Sequence, residues 1–168
     1  MQCDVLDLKR YNFRMPYLID GHNLIPKLGL KLSDPDDELE LAHTLQEFAR
    51  MRRQQIEVYF DGAPPASART GKVGTITLHF ISRGSSADSA IRARLMNMAK
   101  SAKNWTVVSS DREVQSAAKV NGAKFISSEE FVKLMRDTLT SSVKTNPDDK
   151  KLTTQEVEEW LRLFNKDK

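Results

Sequence analysis

The stretch YLIDGHNLI, residues 17–25, decides how this chain is read. Three residues of strand character, Tyr17, Leu18 and Ile19, run straight into Asp20 and then Gly21. A short apolar run bounded by a turn signal reads as a buried strand, here one that ends on a negative charge. Asn23 follows three positions after the acid.

Working outward, the pattern alternates between strand and helix. Residues 36–53 (DDELELAHTLQEFARMRR) place Leu41, Leu45 and Phe48 in one apolar stripe at helical spacing. IEVYFDG (56–62) is a second strand, and the breaker-rich APPASARTGKVG (63–74) reads as a loop leading to a third strand, TITLHFIS (75–82). SADSAIRARLMNMAKSA (86–102) puts Ile91, Leu95, Met98 and Ala102 on one helical face. WTVVSSD (105–111) is a fourth strand, DREVQSAAKV a short helix stopped by Asn121 and Gly122, and KFIS (124–127) a fifth strand. The next helix opens on Ser127, Ser128, Glu129 and Glu130, a capping-box pattern, with Phe131, Leu134 and Met135 inward. Strands separated by helices require right-handed crossovers. The fold class is therefore α/β, with three layers: a mostly parallel sheet of about five strands and helices on both faces.

In such a sheet, ligands bind in the crevice outside the carboxyl ends of the strands. Asp20, Asp61 and Asp111 each follow a strand, and Asp88 opens the helix after the third. One at a time, each has an ordinary reading as a turn former or helix cap. Four acids at one edge repel one another unless a cation compensates. Mg²⁺ suits the position, because it takes oxygen ligands, keeps several waters and needs only one or two direct carboxylates. Such a site can activate water and stabilise charge on a phosphate during cleavage.

Length and composition set the surrounding limits. The 168 residues, 39% hydrophobic and 29% charged, have room for one domain with an appendage. The one cysteine, Cys3, permits neither an internal disulfide nor a Cys-rich zinc site. No apolar run approaches the roughly 20 residues of a membrane span, so a cytoplasmic, membrane-free protein is expected. Between Arg69 and Lys103, seven basic residues face a single acid, Asp88, while the whole chain carries only +3. A basic middle of this kind is compatible with a polyanion.

Taken in order, IDGHN (19–23), FDG (60–62), SSADSAI (85–91) and SSDREV (109–114) resemble the YacP-like group of bacterial NYN domains, over residues 17 to about 139. The resemblance implies a PIN-like sheet and a metal-dependent ribonuclease using Mg²⁺ or Mn²⁺. It makes Asp20 and Asp88 the central catalytic acids, Asp61 and Asp111 their support at the metal, and Asn23 the residue that orients a carboxylate or water. Similar proteins often carry an acid four residues after the helix Asp. Here that position is Arg92, which leaves the number of metals open and suits a grip on a substrate phosphate instead.

The function expected is endonucleolytic cleavage of RNA phosphodiester bonds. The partner is single-stranded RNA, with the ribosome or translation-associated mRNA as a further candidate, and Arg69, Lys72 and Arg83 are the expected phosphate contacts. The rival from another class is an RNA-binding module that keeps the fold without cutting; Arg92 favours it, and four retained Asp residues favour the nuclease. ARTGKV (68–73) is discarded as a phosphate-binding Walker loop, because Val73 stands where Ser or Thr should hold Mg²⁺. An aspartyl phosphatase lacks the second acid expected near Asp20. His22 reads as a turn histidine satisfied by backbone groups, His43 and His79 as structural, and Trp105 and Phe80 as packing residues.

The domain organisation expected is an N-terminal extension (1–16), the nuclease domain (17–140), a polar linker (141–151) and a C-terminal amphipathic helix (152–168). That helix carries Val157, Trp160, Leu161 and Phe164 on one face. A lone helix of its length is marginal in water, so the face is expected to dock, on its own domain by preference.

Overall fold

β1 (Tyr17–Asp20) is buried along its whole length and hydrogen-bonds in parallel to a neighbour on each side. The computed structural model describes residues 15–32, 36–63 and 69–143. The other strands are β2 (Ile56–Ala63), β3 (Arg69–Val73), β4 (Ile76–Ser82), β5 (Thr106–Val108) and β6 (Lys124–Ile126), in one sheet of order β3-β4-β2-β1-β5-β6. All pairings are parallel except β3 with β4. From β1 the chain steps through β2 to β4 on one side, then returns across β1 to β5 and β6 on the other. The ends of β1 and β5 therefore mark the switch point at which loops diverge and leave a crevice.

The helices are α1 (Gly21–Leu24), α2 (Asp37–Arg52), α3 (Ala87–Met98), α4 (Arg112–Val120) and α5 (Ser128–Val143), with 3₁₀ turns at Ile25–Leu28 and Ala99–Asn104. On one face of the sheet, Leu41, Leu45 and Phe48 of α2 and Phe131, Val132 and Met135 of α5 pack against Ile19, Val58 and Ile76. On the other, Ile91 and Leu95 of α3 and Val114 and Ala118 of α4 cover Leu18, Tyr59 and Val107. Because the chain reverses direction across β1, right-handed crossovers place α2 and α3 on opposite faces, which completes the three layers.

The local signals act as read. Ser127 and Glu130 form a reciprocal capping box: the Ser127 N–H donates to Oε2 of Glu130 at 2.9 Å, and the Glu130 N–H to Oγ of Ser127 at 3.2 Å. Gly122 ends α4 at φ +77°, in the left-handed region.

The sheet has six strands where about five were expected. Residues 69–73, read as loop, form β3, antiparallel to β4 in register from Arg69↔Phe80 to Val73↔Ile76. The turn is Gly74–Thr75, with Gly74 at φ +59° and the Thr75 N–H donating to Oε1 of Gln46 on α2. An edge strand with Arg, Lys and Gly in it carries no apolar alternation, so its signal lies in the hairpin turn and in the open edge of β4. α5 continues through Val143, three residues past the expected boundary at 140. The remainder of the expected linker and the helix at 152–168 lie outside the described residues, as does the N-terminal extension up to residue 14. No helix among the described residues is long and apolar enough to cross a membrane.

Gly21 packs where no side chain fits: a Cβ there would collide with the Phe60 ring and lie 3.0 Å from the carbonyl oxygen of Tyr59. Gly21→Ala should therefore cost on the order of 1–3 kcal/mol, read as a lower urea midpoint at an unchanged m value.

Candidate active site

The acids at the carboxyl edge are placed by different local devices. Asp20 is both the last residue of β1 and the N-cap of α1, accepting a long hydrogen bond from the Asn23 N–H at 3.4 Å. Asp61 lies near the end of β2. Asp88 sits in the first turn of α3, where the N-terminal dipole favours a carboxylate; the cap itself is Ser86, which accepts from the Ser89 N–H. Asp111 is the N-cap of α4, its Oδ1 accepting from the Glu113 N–H at 2.7 Å. The ordinary cap role thus holds for Asp111 alongside its place at the edge.

Asp20 is 7% exposed. Burial pushes its carboxyl up to about 6, with Asp88 and then Asp61 adding like-charge repulsion; the Asn23 N–H and His22 act against the rise. Asp88 is also pushed up, by burial and by the charges of Asp111, Glu113 and Asp61, with Arg92 opposing. All four acids therefore share one field.

Asp61 is not free to serve that field alone. His22 lies between two carboxylates, with Nδ1 at 2.7 Å from Oδ1 of Asp61 and Nε2 at 3.0 Å from Oε1 of Glu38. Glu38, and Asp61 after it, outweigh the effect of burial and push the imidazole up to about 9, so at neutral pH both ring nitrogens donate. His22 is therefore a cation built into the acid cluster, held by side chains rather than by the backbone groups expected. Glu38 was not singled out in the sequence; its only signal was a place in the first turn of α2.

Asn23 ties three elements together. Its Oδ1 accepts from the Ser110 N–H at 2.9 Å and from Oγ of Ser128 at 2.6 Å, joining the end of β1 to the β5–α4 loop and to the start of α5. Oγ of Ser110 donates in turn to Glu129, which burial barely touches and which Lys27, at 2.6 Å, and Ser110 hold down to about 2.

The expected phosphate contacts are not all brought together. Arg83 follows β4 and donates from Nε to the Gly62 carbonyl at 3.3 Å, so it borders the acid edge, as does Arg69, whose guanidinium lies 5.8 Å from the Phe80 ring centroid. Lys72 pairs with Thr77, at the opposite end of β4. Arg92 is engaged by Glu113, Nη2 to Oε2 at 2.5 Å, rather than presented alone.

Among the described residues, no three His, Cys, Asp or Glu side chains converge as a ready-made metal site. The donor chemistry still fits a hard cation that keeps most of its water: Asp20 and Asp88 are oxygen donors without an ion-pair partner among the described residues, and each is raised by the other acids around it. Asp61 and Asp111 each have one oxygen already engaged.

The family model for the YacP-like NYN domain matches residues 17–165. Among solved structures, the crystal structure of Rae1 (YacP) from Bacillus subtilis superposes with a TM-score of 0.61 at 22% identity, covering 89% of this chain and 92% of that one. The crystal structure of a point mutant of the same Bacillus subtilis protein superposes at 0.60 and 20% identity, covering 80% and 86%. At these identities the likeness shows the fold. No match is found among curated proteins.

Burial of Asp20 has a consequence for stability without metal. Its folded pKa lies above its unfolded value, so folding takes up a proton between about pH 4 and 6, and this group's contribution falls as pH rises through that window. Asp20→Asn keeps the cap acceptor and removes the charge. In chelator at pH 8 it should be more stable than the parent by on the order of 3 kcal/mol, a gain that shrinks to about a third of that at pH 4.5. Urea titrations at both pH values would show it.

Proposed function

The chain belongs to the YacP-like NYN domain family, a group with a PIN-like nuclease fold, and on that premise we propose that it is a metal-dependent endoribonuclease acting on single-stranded RNA. The observation that carries the proposal is the pairing of Asp20 with Asp88: two carboxylates at the switch point of a parallel sheet, one of them buried and raised by the other, with no cation among the described residues bound to either. Such an arrangement destabilises the metal-free fold and gains from a divalent ion.

Asp20 and Asp88 would hold the ion, Mg²⁺ or Mn²⁺, directly, with Asp61 and Asp111 accepting from its water shell. When bound, the ion lowers the pKa of a water and stabilises the charge that builds on the phosphate. Asp20 is kept in position by the short turn after β1 and by Asn23, whose N–H it accepts and whose side chain fixes the neighbouring loop. His22 holds Asp61 through one nitrogen and Glu38 through the other, and only one oxygen of Asp61 is taken up in that contact. Arg69 and Arg83 border the edge as cations for the RNA backbone. Arg92, already paired with Glu113, tempers the field at Asp88, and with a cation where similar proteins often carry an acid, a single metal ion is favoured. Ribosome-bound or translation-associated mRNA is a substrate class compatible with this chemistry.

The non-cutting RNA-binding module keeps one observation in its favour, the lack of three converging ligands among the described residues. Cleavage of labelled single-stranded RNA in Mn²⁺, set beside Mn²⁺ titration, separates the two. Asp88→Asn should lower the cleavage rate by about 100-fold or more, equivalent to roughly 2.7 kcal/mol, and weaken Mn²⁺ binding while RNA affinity in chelator is retained. Wild-type RNA binding with no cleavage in either metal would favour the module, and full cleavage by Asp88→Asn would remove the nuclease assignment.

A further inference from the structure

The edge of the sheet opposite the acids carries a basic pocket of about 550 Å³. It is lined by Arg50 and Arg53 from the end of α2, Gln54 from the connection to β2, Lys72 of β3, and Thr75 and Thr77 at the start of β4, with no acid among its lining residues. Gln54 is 4% exposed, and its side-chain oxygen has no hydrogen-bond partner among the described residues. Arg50 is paired with Glu47 at 3.0 Å, whereas Arg53 and Lys72 have no ion-pair partner among the described residues.

Cations at a helix C-terminus ordinarily complement its dipole, and Arg50 and Arg52 already do so for α2. Two features exceed that explanation. Lys72 comes from another element and faces the same space. Arg53 occupies the left-handed region, φ 51° and ψ 45°, at the helix-ending position that glycine fills without strain. A strained backbone that holds a long cation over a polar pocket points to a use for the cation.

We propose that this pocket is an RNA-phosphate anchor remote from the cleaving edge. The inference rests on the ribonuclease reading above and adds a path to it. β3 lies at the sheet margin and runs between the two edges, with Arg69 opposite Phe80 near the acids and Lys72 opposite Thr77 beside the pocket. The three residue steps from Arg69 to Lys72 span about 10 Å of strand. Arg69 and Lys72 project from opposite faces of β3, so a single RNA strand that leaves the acid edge past Arg83 and Arg69 passes around the open outer edge of β3 to reach Lys72 and Arg53. The Thr75 and Thr77 hydroxyls suit phosphate oxygens. The anchor fixes how far the strand extends beyond the cut.

The test uses the full-length protein with a labelled single-stranded RNA of about 20 nucleotides, in chelator, with affinity measured against salt. Arg53→Gly combined with Lys72→Gln should reduce the salt slope by about 1.4, for two phosphates at roughly 0.7 each, and weaken binding about tenfold near 0.1 M salt. Arg53→Gly alone should leave the melting temperature unchanged or higher, because glycine relieves the left-handed backbone. Arg53→Lys should keep the wild-type slope. If the double variant does not fold, Lys72→Gln alone reports a fall of about 0.7. A wild-type slope and affinity in the Lys72→Gln and double variants would overturn the anchor while leaving the ribonuclease reading intact. Failure of the wild-type protein to bind this RNA at any salt would overturn both.

Discussion

The burial of β1 between two parallel neighbours is the constraint on which the rest of this protein depends. Both of its edges are hydrogen-bonded and both of its faces are covered, so nothing polar can sit along it except at an end. The carboxyl end is also the point where the chain turns away to opposite sides of the sheet. A residue there is held by the core on one side and lies at the crevice on the other, and Asp20 is 7% exposed. The Asn23 side-chain oxygen completes the constraint by accepting from residues 87 and 105 positions further along the chain. The ends of β1 and β5 and the start of α5 are thereby tied together.

The treatment of charge separates structure from function. Glu57, buried on β2, shows what a structural carboxylate looks like here: burial pushes it up, but the His79 imidazole 3.6 Å away and hydrogen bonds from the Arg94 guanidinium and Tyr59 more than compensate and hold it down to about 2. Arg94 reaches it through two nitrogens at 3.0 and 2.8 Å and lies 5.5 Å from the Trp105 ring centroid. His79 and Trp105 thus act in packing and support. At the crevice the balance is left open. His22 answers Asp61 and Glu38, Arg92 answers Glu113, and Lys27 answers Glu129, yet no such partner meets Asp20 or Asp88 among the described residues. One buried carboxylate has its charge matched within the fold and the other is left raised.

The acid field is also shared. Asp20 is raised by Asp88 and Asp61, and Asp88 by Asp111, Glu113 and Asp61, so each of the two shares its field with several acids. A water-rich ion suits that geometry better than one needing a closed cage of ligands. The basic residues are arranged differently, on the β4–β3 side of the sheet, and supply a direction along which an anionic strand can leave the acids.

Much of this was legible in residue order. The apolar stripe of α2, the Ser127–Glu130 box and the strand-ending acids all depend on neighbours within four positions, and short-range sterics and hydrogen bonding decide them alone. β3 was missed because an edge strand of Arg, Thr, Gly and Lys is recruited by the open side of β4, not by its own propensity. His22 was misread in its partners because Glu38 and Asp61 lie 16 and 39 residues away. The sequence by itself determined the alternation, the helix caps and which residue types meet the carboxyl edge. Only the tertiary structure decided which of those charges are neutralised and which are left raised, because an ion pair depends on distances that long-range packing sets.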